Sequence, residues 1–334
     1  MYDAKTTNCI IQLPKLLLDN DEEGADNDQL SQLKKALYKA GRNARDAIRD
    51  YLMEVFKHTH GQLKEHEDFN KTWEVELVLC VPPNWSMYAR LTMQEIMVDV
   101  VEETDMRGRE FSIFIIDEPE AAVTFALRHE CIHENIQRGS NFVVCVAGGG
   151  TVVTHGSRLS RVRQEAPFRV DEIATPTGKD CGSSFINQAF IKETRKRLAH
   201  IPALGRGPEY STEVALQEDL FCKFERELKR NYDPANWDDQ VSGNLRLFGL
   251  MKDPARDFGN GVFFIRKEQM DNYYRRSLEG TVDLIKKQLK QLKGQVVKVI
   301  LLLGGFSRSL ALKRCLNDSF GPDGLKVIHL DHDV

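Results

Sequence analysis

The sequence predicts an α/β protein of two or more subdomains. Three observations carry that expectation. Apolar strands alternate with segments of helical period between Val75 and Leu127. The stretch Phe142 to Val153, FVVCVAGGGTVV, runs strand, three glycines, threonine and strand again. A second apolar strand, over Val296 to Leu303, also ends in a glycine turn, at Gly304-Gly305. Strand–helix alternation marks layered α/β architecture. A glycine turn after a strand can aim backbone N–H groups at a ligand beyond the sheet edge. At 334 residues the chain can bury a large core and divide into subdomains.

Taken in order, residues 30–63 place Leu33, Leu37, Ala40, Ala44, Ile48, Leu52, Val55 and Phe56 at helical spacing, which predicts a long helix or helix pair. The acidic run Asp19 to Asp28 ahead of it reads as a solvated connector, and residues 58–70 read as a polar linker. Residues 75–81 form a strand that Pro82-Pro83 ends, and Ser86 is placed to cap a helix through Val101. Residues 111–116 are the next strand, and Pro119 stands where a helix through Leu127 would begin. Strands over 142–146 and 151–163 flank the first glycine turn. Residues 185–199 and 212–230 are amphipathic helices. Residues 232–258 are polar and broken by Pro234, Gly243, Gly249 and Pro254. A strand over 263–266, a long helix over 270–292, a buried strand over 296–303 and a helix over 309–320 complete the series. Two glycine turns so far apart in sequence suggest two lobes facing one cleft.

Composition narrows the function classes. Hydrophobic residues make up 41% and charged residues 29%, ordinary for a globular protein. The net charge of −4 gives no reason to expect a nucleic acid partner. Seven cysteines, odd in number and without a C-x-x-C pair, read as reduced thiols of the cytoplasm or nucleus rather than a disulfide framework or zinc site. No apolar run approaches a membrane span, so no membrane partner is expected.

Common nucleotide fingerprints fail. There is no G-x-x-x-x-G-K-[ST], and GGGTVV does not complete G-x-G-x-x-G because Val153 holds the last position. Asp257-Phe258-Gly259 spells a kinase tripeptide without its companions and reads as chance. Lys192 to Arg197, KETRKR, reads as a solvated helix face. The nine histidines show no ligand spacing, and no metal site is expected.

Five landmarks, in order over nearly the whole chain, together resemble one family. FIIDEPEAAVTFAL (Phe114 to Leu127), GGGT (Gly148 to Thr151), GKDCGSSFINQAFIKETRKRL (Gly178 to Leu198), the segment Phe263 to Leu289, and LLGGFSR (Leu302 to Arg308) are similar to motifs of the seventy-kilodalton heat-shock chaperones. The details at Cys181 to Ser184 and Lys15 to Leu18 resemble a divergent branch common in filamentous fungi. The resemblance implies an actin-like, ribonuclease H-like fold of two lobes closing on Mg-ATP. Residues 1–139 would be the remnant of the first lobe, with 1–70 its helical outer part and 71–139 its sheet part. Residues 140–334 would be the second lobe, with 176–294 its outer part and 140–175 with 295–334 its sheet.

Roles carry over by position. Lys15 would approach the γ-phosphate, and Glu118 would hold metal-bound water. Gly148, Gly149, Gly150 and Thr151 would line the phosphates. Gly304, Gly305, Ser307 and Arg308 would cradle the adenosine. Glu225 and Lys229 would reach base and ribose, although the family spaces that pair one residue closer. The residues alone allow plainer readings. Glu118 suits any helix start, Gly304-Gly305 any strand-to-helix turn, and Glu225 with Lys229 any exposed helix pair.

Three departures from the family bear on chemistry. Its opening strand and glycine-threonine loop have no match here, so the first lobe is expected to be truncated at its N-terminus. Its aspartate before the second glycine loop is Val146 here, and its aspartate after the loop's threonine is Val153. Magnesium is held through carboxylates and phosphate oxygens, and valine offers neither charge nor lone pair. The expectation is therefore a degenerate chaperone-like domain that holds ATP or ADP weakly, with magnesium poorly gripped and little or no hydrolysis. Co-chaperones or other proteins are its expected protein partners. The rivals are an active ATPase recruiting Asp117 or Asp171, and a nucleotide-free interaction scaffold.

Overall fold

The computed structural model describes residues 17–18, 28–66, 69, 72–83, 85–104, 111–129, 132, 134–161, 169–201, 204, 210–239 and 243–330. It is mixed α/β and forms two compact units, residues 1–121 and 122–334.

In the first unit, helices α1 (Asp28–Lys39) and α2 (Ala44–His66) precede strand β1 (Val75–Val81), helix α3 (Met87–Glu103) and strand β2 (Phe111–Asp117). Residues 58–66 thus belong to α2 and are not the linker that their polarity suggests. Thr59 returns a hydroxyl bond to the Val55 carbonyl inside the helix, and His60 is buried. Asp28 likewise starts α1 rather than ending a loop. Ser86 caps α3 as expected, its hydroxyl accepting from the Ala89 amide. Strands β1 and β2 pair in parallel from Val75↔Phe111 to Val81↔Asp117. Period-two alternation fixes which face is covered. Val81 and the partly buried Leu79 and Ile115 pack with Ile48, Trp85, Ala89, Met93, Ile96 and Val100. On the opposite face the register partners Val78 and Phe114 are 57% and 55% exposed.

Helix α4 (Glu118–Ala126) follows directly. Val123, Ala126 and Leu127, with Ile132 and Ile136, pack in the second unit against Phe142, Val144, Val299, Leu301 and Leu303. Residues 122–139 therefore go with the second sheet, and the division lies earlier than the expected 139/140.

That sheet has five strands, ordered β10–β9–β3–β4–β5. They are β3 (Asn141–Ala147), β4 (Val152–Arg161), β5 (Arg169–Lys179), β9 (Val297–Leu303) and β10 (Lys326–His329). β10, β9 and β3 are parallel, and β4 and β5 run antiparallel to their neighbours. β3 and β9 are apolar on both sides because both faces are covered. Val143, Cys145, Ile300 and Leu302 face one cluster, and Phe142, Val144, Leu301 and Leu303 the other. The first cluster also holds helix α5 (Ser184–Leu198), a helical run α6 over 212–231, helix α7 (Lys267–Gln291) and helix α8 (Leu310–Phe320). A small sheet orders β6 (Asn244–Arg246), β8 (Val262–Phe264) and β7 (Phe258–Gly259). The strand expected at 263–266 is thus shorter and ends where Arg266 caps α7.

Helix α6 departs from the simple amphipathic helix expected. Its ends are α-turns, Thr212–Val214 and Lys229–Asn231, but Ala215–Phe221 and Phe224–Leu228 are π-turns. KETRKR is not wholly solvated either. Lys192, Arg195 and Lys196 lie towards solvent, but Arg197 is turned inward over the Phe263 ring at 3.8 Å. It donates to the carbonyls of Arg256 and Phe264 at 2.8 and 2.7 Å, pinning the small sheet to α5.

Candidate functional site

The two glycine turns are neighbours, contrary to the expectation that they face each other from two lobes. Val146 pairs with Leu303 in the parallel β3–β9 ladder, so both strands end at one edge. Gly304 has φ +88°, and a Cβ there would lie 2.6 Å from the Ala147 carbonyl oxygen. Only glycine fits, because the conformation is left-handed and the next strand's backbone fills the side-chain space. The carboxyl edge of parallel strands is where open sheets place ligands.

In the first turn the carbonyls are consumed from below. The amides of Gly182, Ser183 and Ser184, at the start of α5, donate to Gly150, Gly148 and Gly149 at 3.1, 3.1 and 2.8 Å. Gly148 closes the turn by donating to the Thr151 carbonyl at 3.0 Å. The amides of Gly149, Gly150 and Thr151 make no hydrogen bond with any described residue. Successive N–H groups without a protein partner in a glycine turn are the donors from which an anion site can be built. The start of α5 is itself committed to the turn and so offers no amides of its own.

The hairpin below the turn is apolar. Val146 and Val153 are direct partners across the β3–β4 ladder, which brings Cβ atoms to about 4.5–5.5 Å. Val153 is buried, and Val146 packs on the cluster of Val144, Leu303 and Val123. Neither can ligate a cation. Among the described residues, no group of three or more acidic, histidine or cysteine side chains is placed to hold a metal. Val146 and Val153 thus offer magnesium no ligand. The two carboxylates proposed as substitutes are engaged. Asp117 pairs with Arg90 at 2.6 Å, and Asp171 with Arg169 at 3.1 Å. Arg90 is held in turn by the Pro82, Pro83 and Trp85 carbonyls.

The second turn, Gly304 to Arg308, borders a cavity of about 600 Å³. Its walls are Ala122, Phe125, Leu302, Leu303 and Leu330, and its polar rim is Gly304, Gly305, Ser307 and Arg308. Glu225 and Lys229 lie on the helical side of the sheet and are not at its rim. Lys229 Nζ donates to Glu225 Oε2 at 2.8 Å, and Lys229 is buried. The exposed helix pair that spacing allows is thus not what forms. Burial pushes the Lys229 ammonium below the ordinary lysine range, against the pull of Glu225. Glu225 lies in the π-turn Phe224–Leu228 and Lys229 follows it, four residues on. The Tyr274 hydroxyl donates to the Lys229 carbonyl at 2.5 Å and neighbours the Ser309 hydroxyl, which caps α8. This bridge joins α6 to the residue after the glycine turn. Tyr274 and Ser309 carry no motif, and nothing in the sequence marks them as neighbours of this site.

Of the remaining expected site residues, Glu118 opens α4 and is half-buried in the first unit. Thr151 ends the glycine turn, half-buried, in the second. Lys15 lies outside the described residues. No helix among the described residues is long and apolar enough to cross a membrane. No family model matches the chain, and no curated protein matches its sequence.

Proposed function

We propose that the chain is a degenerate nucleotide-binding domain of the seventy-kilodalton heat-shock chaperone type, actin-like in fold. It holds ATP or ADP weakly and hydrolyses it slowly or not at all. The observation that carries this reading is the shared edge of β3 and β9. There the turn with unpaired amides at Gly149 to Thr151 and the Gly304 turn with its cavity follow paired strands, while Val146 and Val153 pair in the ladder just before the first turn. Phosphoryl transfer depends on charge stabilisation by metal and positioned groups. An apolar pair at that place removes the metal's grip and leaves backbone amides to hold phosphate. Adenine nucleotide is the ligand, and the assigned compartment is cytoplasm or nucleus.

Isothermal titration with ATP, with and without magnesium, tests the reading. Micromolar-to-millimolar binding that magnesium does not alter supports it. Magnesium-dependent binding accompanied by turnover refutes it in favour of an active ATPase. A nucleotide-free scaffold is the second reading, favoured by the exposed Val78–Phe114 pair. It predicts no heat with ATP under either condition.

A further inference from the structure

We infer that a second cavity, between the small sheet and the start of α7, binds a carboxylate carried on an apolar body, such as an aryl acid. None of its lining residues belongs to either glycine turn, so the inference goes beyond the nucleotide reading and does not depend on it. The cavity holds about 430 Å³, within the range of small-ligand sites. Asp257-Phe258-Gly259, the tripeptide that lacks its kinase companions, lines it together with Lys252, Asn260, Phe264 and Arg266.

The floor is apolar and firmly held. Phe258 is buried, and the Phe264 ring lies across Gly259, where a Cβ would come within 2.9 Å of ring carbon Cε2. The Phe264 amide donates to the Asp257 carbonyl at 3.0 Å. Arg197 donates to the Asp257 and Phe264 carbonyls at 3.3 and 2.7 Å. Asp257 has φ +54° and is one of two non-glycine residues with positive φ among those described. Such backbone persists only where its surroundings over-determine it, and it collects at ligand sites. The polar groups that remain are donors. The Asp257 carboxylate takes Arg266 Nε at 3.1 Å on one oxygen and Gln269 Nε2 at 3.4 Å on the other. The Nη edge of Arg266 donates to no described residue, and neither does the Lys252 ammonium. Asn260 uses its oxygen, on the Lys252 amide at 3.3 Å, and its Nδ2 has no partner among the described residues. Two cations against one engaged carboxylate leave the lining net positive. A guanidinium edge matches a planar carboxylate with two parallel bonds, and the phenylalanine floor takes the apolar remainder.

The test titrates the full chain with 3-phenylpropionate, N-acetylphenylalanine and the uncharged 3-phenylpropionamide, with binding read by ligand-detected NMR. A ligand of this size is expected to bind at about 0.1–10 mM. The amide should bind about fivefold more weakly than its acid, or not at all. Lys252 is exposed, so Lys252→Gln keeps the fold. It is expected to weaken the acid about three- to tenfold and to leave the amide unchanged. Binding of N-acetylphenylalanine at least as tight as that of 3-phenylpropionate marks the carboxyl end of a peptide as the natural source. Binding of 3-phenylpropionate alone marks a free acid. No binding of either acid at about 10 mM overturns the inference. Equal binding of acid and amide overturns it as well, and so does a Lys252→Gln variant that binds the acid as tightly as wild type.

Discussion

Gly182→Ala puts the architecture of the first glycine turn to a direct test. A Cβ on Gly182 would lie 2.5 Å from the Gly149 carbonyl carbon and 2.7 Å from the Gly148 oxygen. These are backbone atoms, so the turn itself must move. Three amide bonds cross this contact, from Gly182, Ser183 and Ser184, and the Ser277 hydroxyl donates to the Gly182 carbonyl at 3.0 Å. Losing two or three such bonds at a net ~1 kcal/mol each, with some strain added, predicts a cost of about 2–4 kcal/mol. At roughly 2–4 °C per kcal/mol for a domain of this size, Tm should fall by about 5–15 °C. Gly182 does not have positive φ, so without the clash alanine would stabilise by about 0.4–1 kcal/mol. The sign alone therefore discriminates. Thermal unfolding followed by circular dichroism, paired with ADP titration at low temperature, reads both effects. An unchanged or raised Tm with intact ADP binding would refute the packing of α5 under the turn.

Three further outcomes follow from the same structure. Val146→Asp with Val153→Asp sets two carboxylates face to face on a buried ladder, so the double variant should melt several degrees lower in EDTA and recover with magnesium. Wild type should show no magnesium effect, and a double variant indifferent to magnesium would show that these positions do not flank a metal site. Burial pushes the Cys181 thiol up to about 11, and Cys145 is fully buried, so iodoacetamide at pH 8 should label Cys80 and Cys222, which are exposed, and spare those two in mass spectra of the native protein. Burial raises the Glu193 carboxyl above its usual range despite Arg197 nearby. The folded state then holds that proton more tightly than the unfolded chain, so stability is lost as pH rises from about 4.5 through the folded value. Glu193→Gln should be the more stable form at pH 7 and lose that advantage near pH 4, as denaturant midpoints will show.

Much of the fold is legible in the sequence because buried parallel strands and capped helices leave strong marks. VKVILLL and NFVVCVA are apolar on both faces, and Ser86 and Ser309 stand at helix starts. β5 is hard to read because Pro176 and its polar residues weaken the strand pattern, which an edge position tolerates. The small β6–β8–β7 sheet is hidden because its strands are only two or three residues long. The inward turn of Arg197 has no local signature; carbonyls from residues 256 and 264 create its site. The glycine turns are legible as motifs, but their adjacency is not, since spacing along a chain does not report which strands pair. The cavity draws on α4, β9 and the residue after β10, so no single stretch of sequence announces it.

The central claim is that this edge is shaped to hold a nucleotide and cannot grip the metal that would cut it. Single-turnover release of inorganic phosphate, with enzyme in excess over Mg-ATP, tests it most directly. The account predicts release no faster than the buffer background, and no change on Glu118→Ala. Magnesium-dependent release well above background, abolished by Glu118→Ala, would contradict it.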